Sequence, residues 1–158
     1  MAGIDTVMNG GGSAAYEIQQ AAWRDLNALR QIEQACFELD AWPLLDLVAV
    51  LTFPDVVRLK AVTNGKMVGF IAGDRRRSER LGWITTLGVL PEYRRRGIAV
   101  GLLELCEKQL GMPEVRLSVR RSNEPAIQLY RRCGYRYHGI WQRYYIDGED
   151  ALILAKEL

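Results

Sequence analysis

The chain is 158 residues long, 49% apolar and 25% charged, with a formal net charge of +2. This is the composition of an ordinary globular domain with a full core, and the nearly balanced charge argues against wholesale binding to nucleic acid or membrane. No apolar run is long enough to span a bilayer, and no basic segment followed by an apolar one opens the chain. A cytoplasmic protein without signal peptide or anchor is therefore expected. Cys36, Cys106 and Cys133 are odd in number and widely spaced, and His138 is the single histidine. Neither a metal site nor a disulfide framework is expected from them.

Met1 to Ala15, with Gly10-Gly11-Gly12-Ser13, has little to bury and reads as a flexible arm, which leaves 16–158 as the domain. Tyr16 to Gln20 alternates as a strand does. From Asp25 to Phe37 the positions Leu26, Leu29, Ile32, Glu33, Cys36 and Phe37 recur at helical spacing. Leu44 to Leu51 reads as a second helix, ending near Pro54. Val56 to Val62 and Met67 to Ala72 are strand-like, and Asn64-Gly65 between them marks a hairpin, since both residues tolerate positive φ. Arg75-Arg76-Arg77 reads as a solvated turn, followed by a third antiparallel strand from Leu81 to Val89. Val100 to Leu110 reads as a helix and Val115 to Val119 as a strand. A further helix opens at Ser122-Asn123-Glu124-Pro125 and stops near Cys133-Gly134. Tyr135 to Tyr145 and Ala151 to Leu158 are the last two strands. The order predicts an α+β layered fold, with a mixed, mostly antiparallel sheet of six or seven strands flanked by helices.

The segment Val89-Leu90-Pro91-Glu92-Tyr93-Arg94-Arg95-Arg96-Gly97-Ile98-Ala99 joins a predicted strand to a predicted helix. The first amides of a helix have no partner within it, and the helix dipole adds positive potential there. A basic turn at that point suits a phosphate group. Gly97, lacking Cβ, lets a ligand approach the backbone closely.

Arg94-x-x-Gly97-x-Ala99 resembles the pyrophosphate loop of the GNAT superfamily of acetyltransferases. Asn123-x-x-Ala126-x-x-x-Tyr130-x-x-x-Gly134-Tyr135, about thirty residues later, resembles the second signature of that superfamily. Within it the chain is most similar to the RimI-like protein N-terminal acetyltransferases. Glu33-x-x-Cys36-Phe37 with Trp42-Pro43, Ile84 to Val89, and Tyr144-Tyr145 with Glu149-Asp150-Ala151-Leu152 carry that likeness. The resemblance implies acetyl transfer from acetyl-CoA to the α-amine of a protein or peptide N-terminus. It implies that Arg94, Arg95, Arg96, Gly97, Ile98, Ala99 and Val100 hold the pyrophosphate, and that Leu87, Gly88 and Val89 pair with the pantetheine arm. It further implies cofactor contact by Asn123, and Tyr130 as the acid that protonates the departing thiolate. Phe37, Trp42, Tyr144 and Tyr145 would wall the peptide groove. The implied partner is a peptide rather than a nucleic acid or a membrane, and the implied protein is a monomer or weak homodimer.

Direct attack by an amine needs a positioned thioester, a donor for the oxyanion, and proton transfer at both ends. Here the sequence departs from its relatives. Ser118 stands where RimI-like enzymes carry a glutamate base, and Trp83 stands where some relatives carry a base-assisting tyrosine. An α-amine is roughly one-fifth neutral near pH 7.4, against about one part in a thousand for a lysine amine, so weak base assistance favours α-amines. Glu33, Glu38 and Glu149 are the carboxylates that remain as candidate bases. Two other outcomes stay open: a GNAT enzyme for a small-molecule amine, and a non-catalytic coenzyme-A sensor.

Overall fold

The computed structural model describes residues 15–37 and 39–158. The expected arm, apart from Ala15, and the candidate base Glu38 lie outside the described residues. The elements run β1 (Glu17–Gln20), α1 (Leu26–Cys36), α2 (Leu44–Thr52), β2 (Val56–Thr63), β3 (Lys66–Arg76), β4 (Leu81–Val89), α3 (Ile98–Leu110), β5 (Glu114–Arg120), α4 (Glu124–Arg132), β6 (Arg136–Trp141) and β7 (Ala151–Glu157). The seven strands form one sheet in the order β1-β2-β3-β4-β5-β7-β6. Every pair is antiparallel except β4 with β5. Helix α3 makes the crossover connection that a parallel pair requires.

Two layers cover the sheet. On one face α3 and α4 seal a core of Val68, Ile71, Leu102, Leu103, Cys106 and Leu117. On the other, α1 and α2 close over Met67, Phe70 and Ala72 with Leu29, Ile32 and Leu47. Strand β2 alternates buried and half-buried positions, whereas β3 is buried continuously from Met67 to Gly73, as a central strand covered on both faces must be. The β2–β3 hairpin turns at Asn64 (φ 49°) and Gly65 (φ 74°), as their residue types predict.

Two features of β4 position the site. Its pairing with β5 stops at Ile84–Leu117, so Thr85–Val89 leaves its β5-side edge open while β3 still holds the other edge. A bulge also leaves Thr85 without a partner, since Thr86 pairs with Ala72 and Ile84 with Gly73. A bulge shifts the side-chain alternation by one residue. Thr85 therefore lines a cavity with α2 residues while its neighbour Thr86 bonds to Glu33 of α1, both in the same layer.

Three sequence expectations are corrected. The strand expected over Tyr135 to Tyr145 ends at Trp141, so Tyr144 and Tyr145 lie in the β6–β7 loop. Helix α3 begins at Ile98 rather than Val100. The first arginine triplet is not simply solvated. Arg75 donates to the Gln109 carbonyl at 2.8 Å, Arg76 covers the Trp83 ring at 4.8 Å, and Arg77 pairs with Asp55 at 3.1 Å.

Candidate active site

The loop before α3 is built to present amides. Arg95 (φ 61°) and Gly97 (φ 79°) both take the left-handed conformation, which turns the chain sharply into the helix. Among the described residues, the amides of residues 95–100 donate to no protein acceptor; the first amide of the helix that does is Gly101, to the Gly97 carbonyl at 3.0 Å. Arg94 and Arg96 brace the turn from outside, donating to the carbonyls of Val89 (3.0 Å) and Glu92 (3.1 Å). Tyr16 of the edge strand region donates to the Gly97 carbonyl at 3.2 Å. A Cβ built on Gly97 meets nothing within 4 Å, so the space above the turn is open to a ligand. Consecutive unpaired amides at a helix N-terminus, flanked by arginines, fit a pyrophosphate.

The open edge of β4 leads into this turn, and Tyr130 of α4 shares a core cluster with Val89 and Ile98. Tyr130 is 8% exposed and packs edge-on against Tyr135 at 5.8 Å. Its hydroxyl makes no hydrogen bond among the described residues. Burial raises its pKa, so the phenol keeps its proton at neutral pH. Behind it Glu107, buried in α3, accepts from the Tyr135 hydroxyl and from Lys156, each at 2.8 Å. Asn123 caps α4, its Oδ1 accepting from the Ala126 amide at 3.3 Å. That bond is a structural role for Asn123 beside the expected contact with the cofactor.

The remaining expected residues lie on two connections. Phe37 and Trp42 belong to the α1–α2 connection, and Trp42 lines a cavity of about 250 Å³ with Val50, Phe53, Asp74 and Thr85. Tyr144 and Tyr145 belong to the β6–β7 loop. The rings form a continuous series. Trp83 stacks on Trp141 (5.4 Å, 11°), Trp141 meets Tyr144 (5.1 Å), and Tyr144 meets Tyr145 edge-on (5.1 Å).

Arg120, just past the last β4–β5 pair, joins these two connections. It forks onto Asp40 of the α1–α2 connection at 2.6 and 2.7 Å, bonds Asp147 at 2.9 Å, and lies 4.1 Å over the Tyr145 ring. Asp40 foremost, then Asp147, pushes the guanidinium pKa upward. Ser118 lies beside the Tyr145 hydroxyl, whose pKa burial pushes up to about 12. The two positions at which the resemblance would place a base or its helper are thus occupied by packing, Trp83 by its stack and Ser118 by Tyr145.

Of the candidate bases, Glu149 accepts from the Ser122 hydroxyl at 2.6 Å. Glu33 is 2% exposed, and its Oε1 accepts from the Thr86 hydroxyl at 2.8 Å. Burial raises its pKa, against the pull of Thr86 and the Trp42 amide. That amide lies outside hydrogen-bonding geometry, since Oε2 has no partner among the described residues. Sequence reasoning missed Asp40, Arg120, Thr86 and Glu107. Glu107 had a visible signal, a charge inside the apolar stripe of Leu103, Cys106 and Leu110; the others had none.

A turn of unpaired amides at a helix N-terminus, an open strand edge leading into it and a buried phenol in the same core fit a coenzyme-A-dependent acyltransferase. Residues 26–135 match the Acetyltransferase (GNAT) family, and the chain belongs to that family. It is 30% identical to an N-alpha-acetyltransferase of Sulfurisphaera tokodaii, over 90% of this chain and 93% of that one. It superposes on the ribosomal-protein-S18-alanine N-acetyltransferase of Escherichia coli with a TM-score of 0.81 at 29% identity, covering 90% and 93% of the two chains. It also superposes on Arabidopsis thaliana NAA60 in complex with acetyl-CoA, with a TM-score of 0.78 at 27% identity, covering 90% and 98%. The protein is an acetyl-CoA-dependent N-acetyltransferase.

Proposed function

We propose that the acceptor is the free α-amine of a protein or peptide N-terminus, and that the sequence-derived residues act as follows. The amides of residues 95–100, with Arg94 opening the loop, hold the cosubstrate pyrophosphate. The open edge of Leu87, Gly88 and Val89 hydrogen-bonds the pantetheine arm as an added strand. Asn123 supports the cosubstrate from the start of α4. Bound there, acetyl-CoA supplies the thioester. Tyr130 donates its proton to the leaving thiolate, and a β4 amide receives the oxyanion charge. Phe37 and Trp42 on one side, with Tyr144 and Tyr145 on the other, receive the first residues of the peptide.

The observation that carries this reading is the aromatic series Trp83-Trp141-Tyr144-Tyr145, tied by Arg120 to the α1–α2 connection just past the last β4–β5 pair. A groove between these two segments would suit an extended chain end. The names of the relatives, N-alpha-acetyltransferase and ribosomal-protein-alanine acetyltransferase, support it. The reading includes a cytoplasmic monomer or weak homodimer without nucleic-acid ligands. Among the described residues no helix is long and apolar enough to cross a membrane.

The test is thiol release from acetyl-CoA against three groups of acceptors: peptides with free N-termini varied at the first two residues, N-blocked peptides containing lysine, and common small amines. Turnover confined to free N-termini is expected. Turnover confined to small amines, or cosubstrate binding with no turnover, would displace the reading.

A further inference from the structure

Resting on that acceptor assignment, we propose that Glu33 is the general base of the reaction and draws the amine proton through the hydroxyl of Thr86. The proposal fills the role that Ser118 and Trp83 leave vacant.

The geometry sorts the carboxylates. Asp40, Asp147 and Glu149 are all held by Arg120. Glu107 lies in the α3 layer and is saturated by Tyr135 and Lys156. Asp74 sits on β3, one strand removed from the open edge. Among the described carboxylates, Glu33 alone is joined to β4 itself where its edge opens, through the 2.8 Å bond from Thr86. Its second oxygen is buried and unpartnered among the described residues. The charged or titratable groups near it are Cys36 on its own helix and Arg94, which faces Cys36 from the loop before α3. The α1–α2 connection offers it the Trp42 amide and β4 offers Thr86, neither of them ionisable.

A buried carboxylate with one hydrogen bond and no counter-ion is destabilising to keep. It is also a stronger base than one clamped by arginine. The upward shift that burial imposes brings it toward the working range of a general base. Thr86 is well placed to relay because the Thr85 bulge turns its hydroxyl into the α1 layer, the face against which Trp42 packs.

In the step, the amine nitrogen bonds to the acetyl carbon and the carbon–sulfur bond breaks. The amine proton passes to Thr86 Oγ1 as the Thr86 proton passes to Glu33 Oε1. The thiolate takes its proton from Tyr130. Glu33 then releases one proton to solvent and Tyr130 regains one, so the products are the acetylated amine and the free thiol, with the enzyme restored.

Three variants test the relay by steady-state kinetics on a free-N-terminus peptide, from about pH 6 to about pH 9.5. Thr86→Val keeps the shape and removes the hydroxyl; Thr86→Ser restores it; Glu33→Gln keeps the acceptor oxygen and removes the base. Val and Gln are expected to lower kcat near neutral pH by roughly a hundredfold or more, with KM for acetyl-CoA unchanged. Their deficit should shrink above about pH 8, where the amine arrives neutral. Ser should retain most of the wild-type rate. A Thr86→Val enzyme that matches Ser and wild type, or a deficit that does not vary with pH, would overturn the relay. If Glu33→Gln fails to fold, the Val and Ser pair decides alone. Wild-type turnover alongside unaffected variants overturns the relay and leaves the acceptor assignment standing. Wild-type inactivity on every free N-terminus removes the assignment and the relay with it.

Discussion

At the residue scale, Tyr130 and Gly97 carry sharp expectations. Tyr130→Phe removes one oxygen from a ring whose packing against Tyr135 remains. Its kcat should fall by roughly 10² to 10⁴, with melting temperature and acetyl-CoA KM nearly unchanged. A comparable fall in acetyl-CoA affinity would mean the ring serves binding rather than proton transfer. Gly97→Val meets no protein atom but forces a β-branched residue to φ 79°. Strain of about 1–3 kcal/mol and occlusion of the amide turn should both weaken acetyl-CoA binding. Titration calorimetry giving wild-type affinity would break the pyrophosphate assignment. The left-handed turn at Gly97 was legible in the sequence as a local requirement, whereas the role proposed for Tyr130 came from the resemblance.

At the element scale, Arg120 unites the α1–α2 connection, the end of β5 and the β6–β7 loop. Arg120→Met should leave the sheet intact, since α3 and the strand pairs do not depend on it. It should free the two connections and strand Asp40 and Asp147 without a cation. A loss of about 1–2 kcal/mol in peptide binding, roughly tenfold in peptide KM, is expected, with acetyl-CoA KM unmoved. Equal effects on both substrates would show that the arginine holds the fold rather than the groove. A second contact ties β1 to α3. A Cβ on Gly101 would stand 2.6 Å from the Tyr16 hydroxyl, which itself reaches the Gly97 carbonyl. Gly101→Ala should therefore lower stability by about 1–3 kcal/mol in thermal unfolding, despite its gain in helix propensity. An unchanged or raised melting temperature would show that the Tyr16 ring yields without cost.

At the scale of the whole molecule, stability and pH are linked through groups shifted in opposite directions. Glu33 has a folded pKa raised by burial. Its contribution is fully present below the unfolded value, and is lost as pH rises through the raised one. Asp147 is held below its ordinary value, first by the Glu149 amide and then by Arg120. Its contribution is present above the unfolded value and is lost as pH falls through the depressed one. Glu33→Gln removes the first effect and leaves the second. The difference in melting temperature, variant minus wild type, should therefore grow as pH rises from mildly acidic to mildly alkaline. A difference independent of pH would mean that Glu33 carries the same protonation in the folded and the unfolded protein across that range, so that burial does not shift it.

The sequence by itself determined the elements, their order and the glycine-bearing turn before α3, because helix spacing, strand alternation and glycine turns act within a few residues. The end of β6 at Trp141 was not legible, because the aromatic run Tyr137 to Tyr145 has strand composition on either side of the break. Only the tertiary structure decided which carboxylates are tied up. Asp40 meets Arg120 across 80 positions of chain, and Glu33 meets Thr86 across 53. A one-residue bulge at Thr85, set by pairing with β3, chose the face on which Thr86 lies. Charge pairing and desolvation depend on neighbours that the fold brings together, so the partners of a carboxylate cannot be read from its place in the chain.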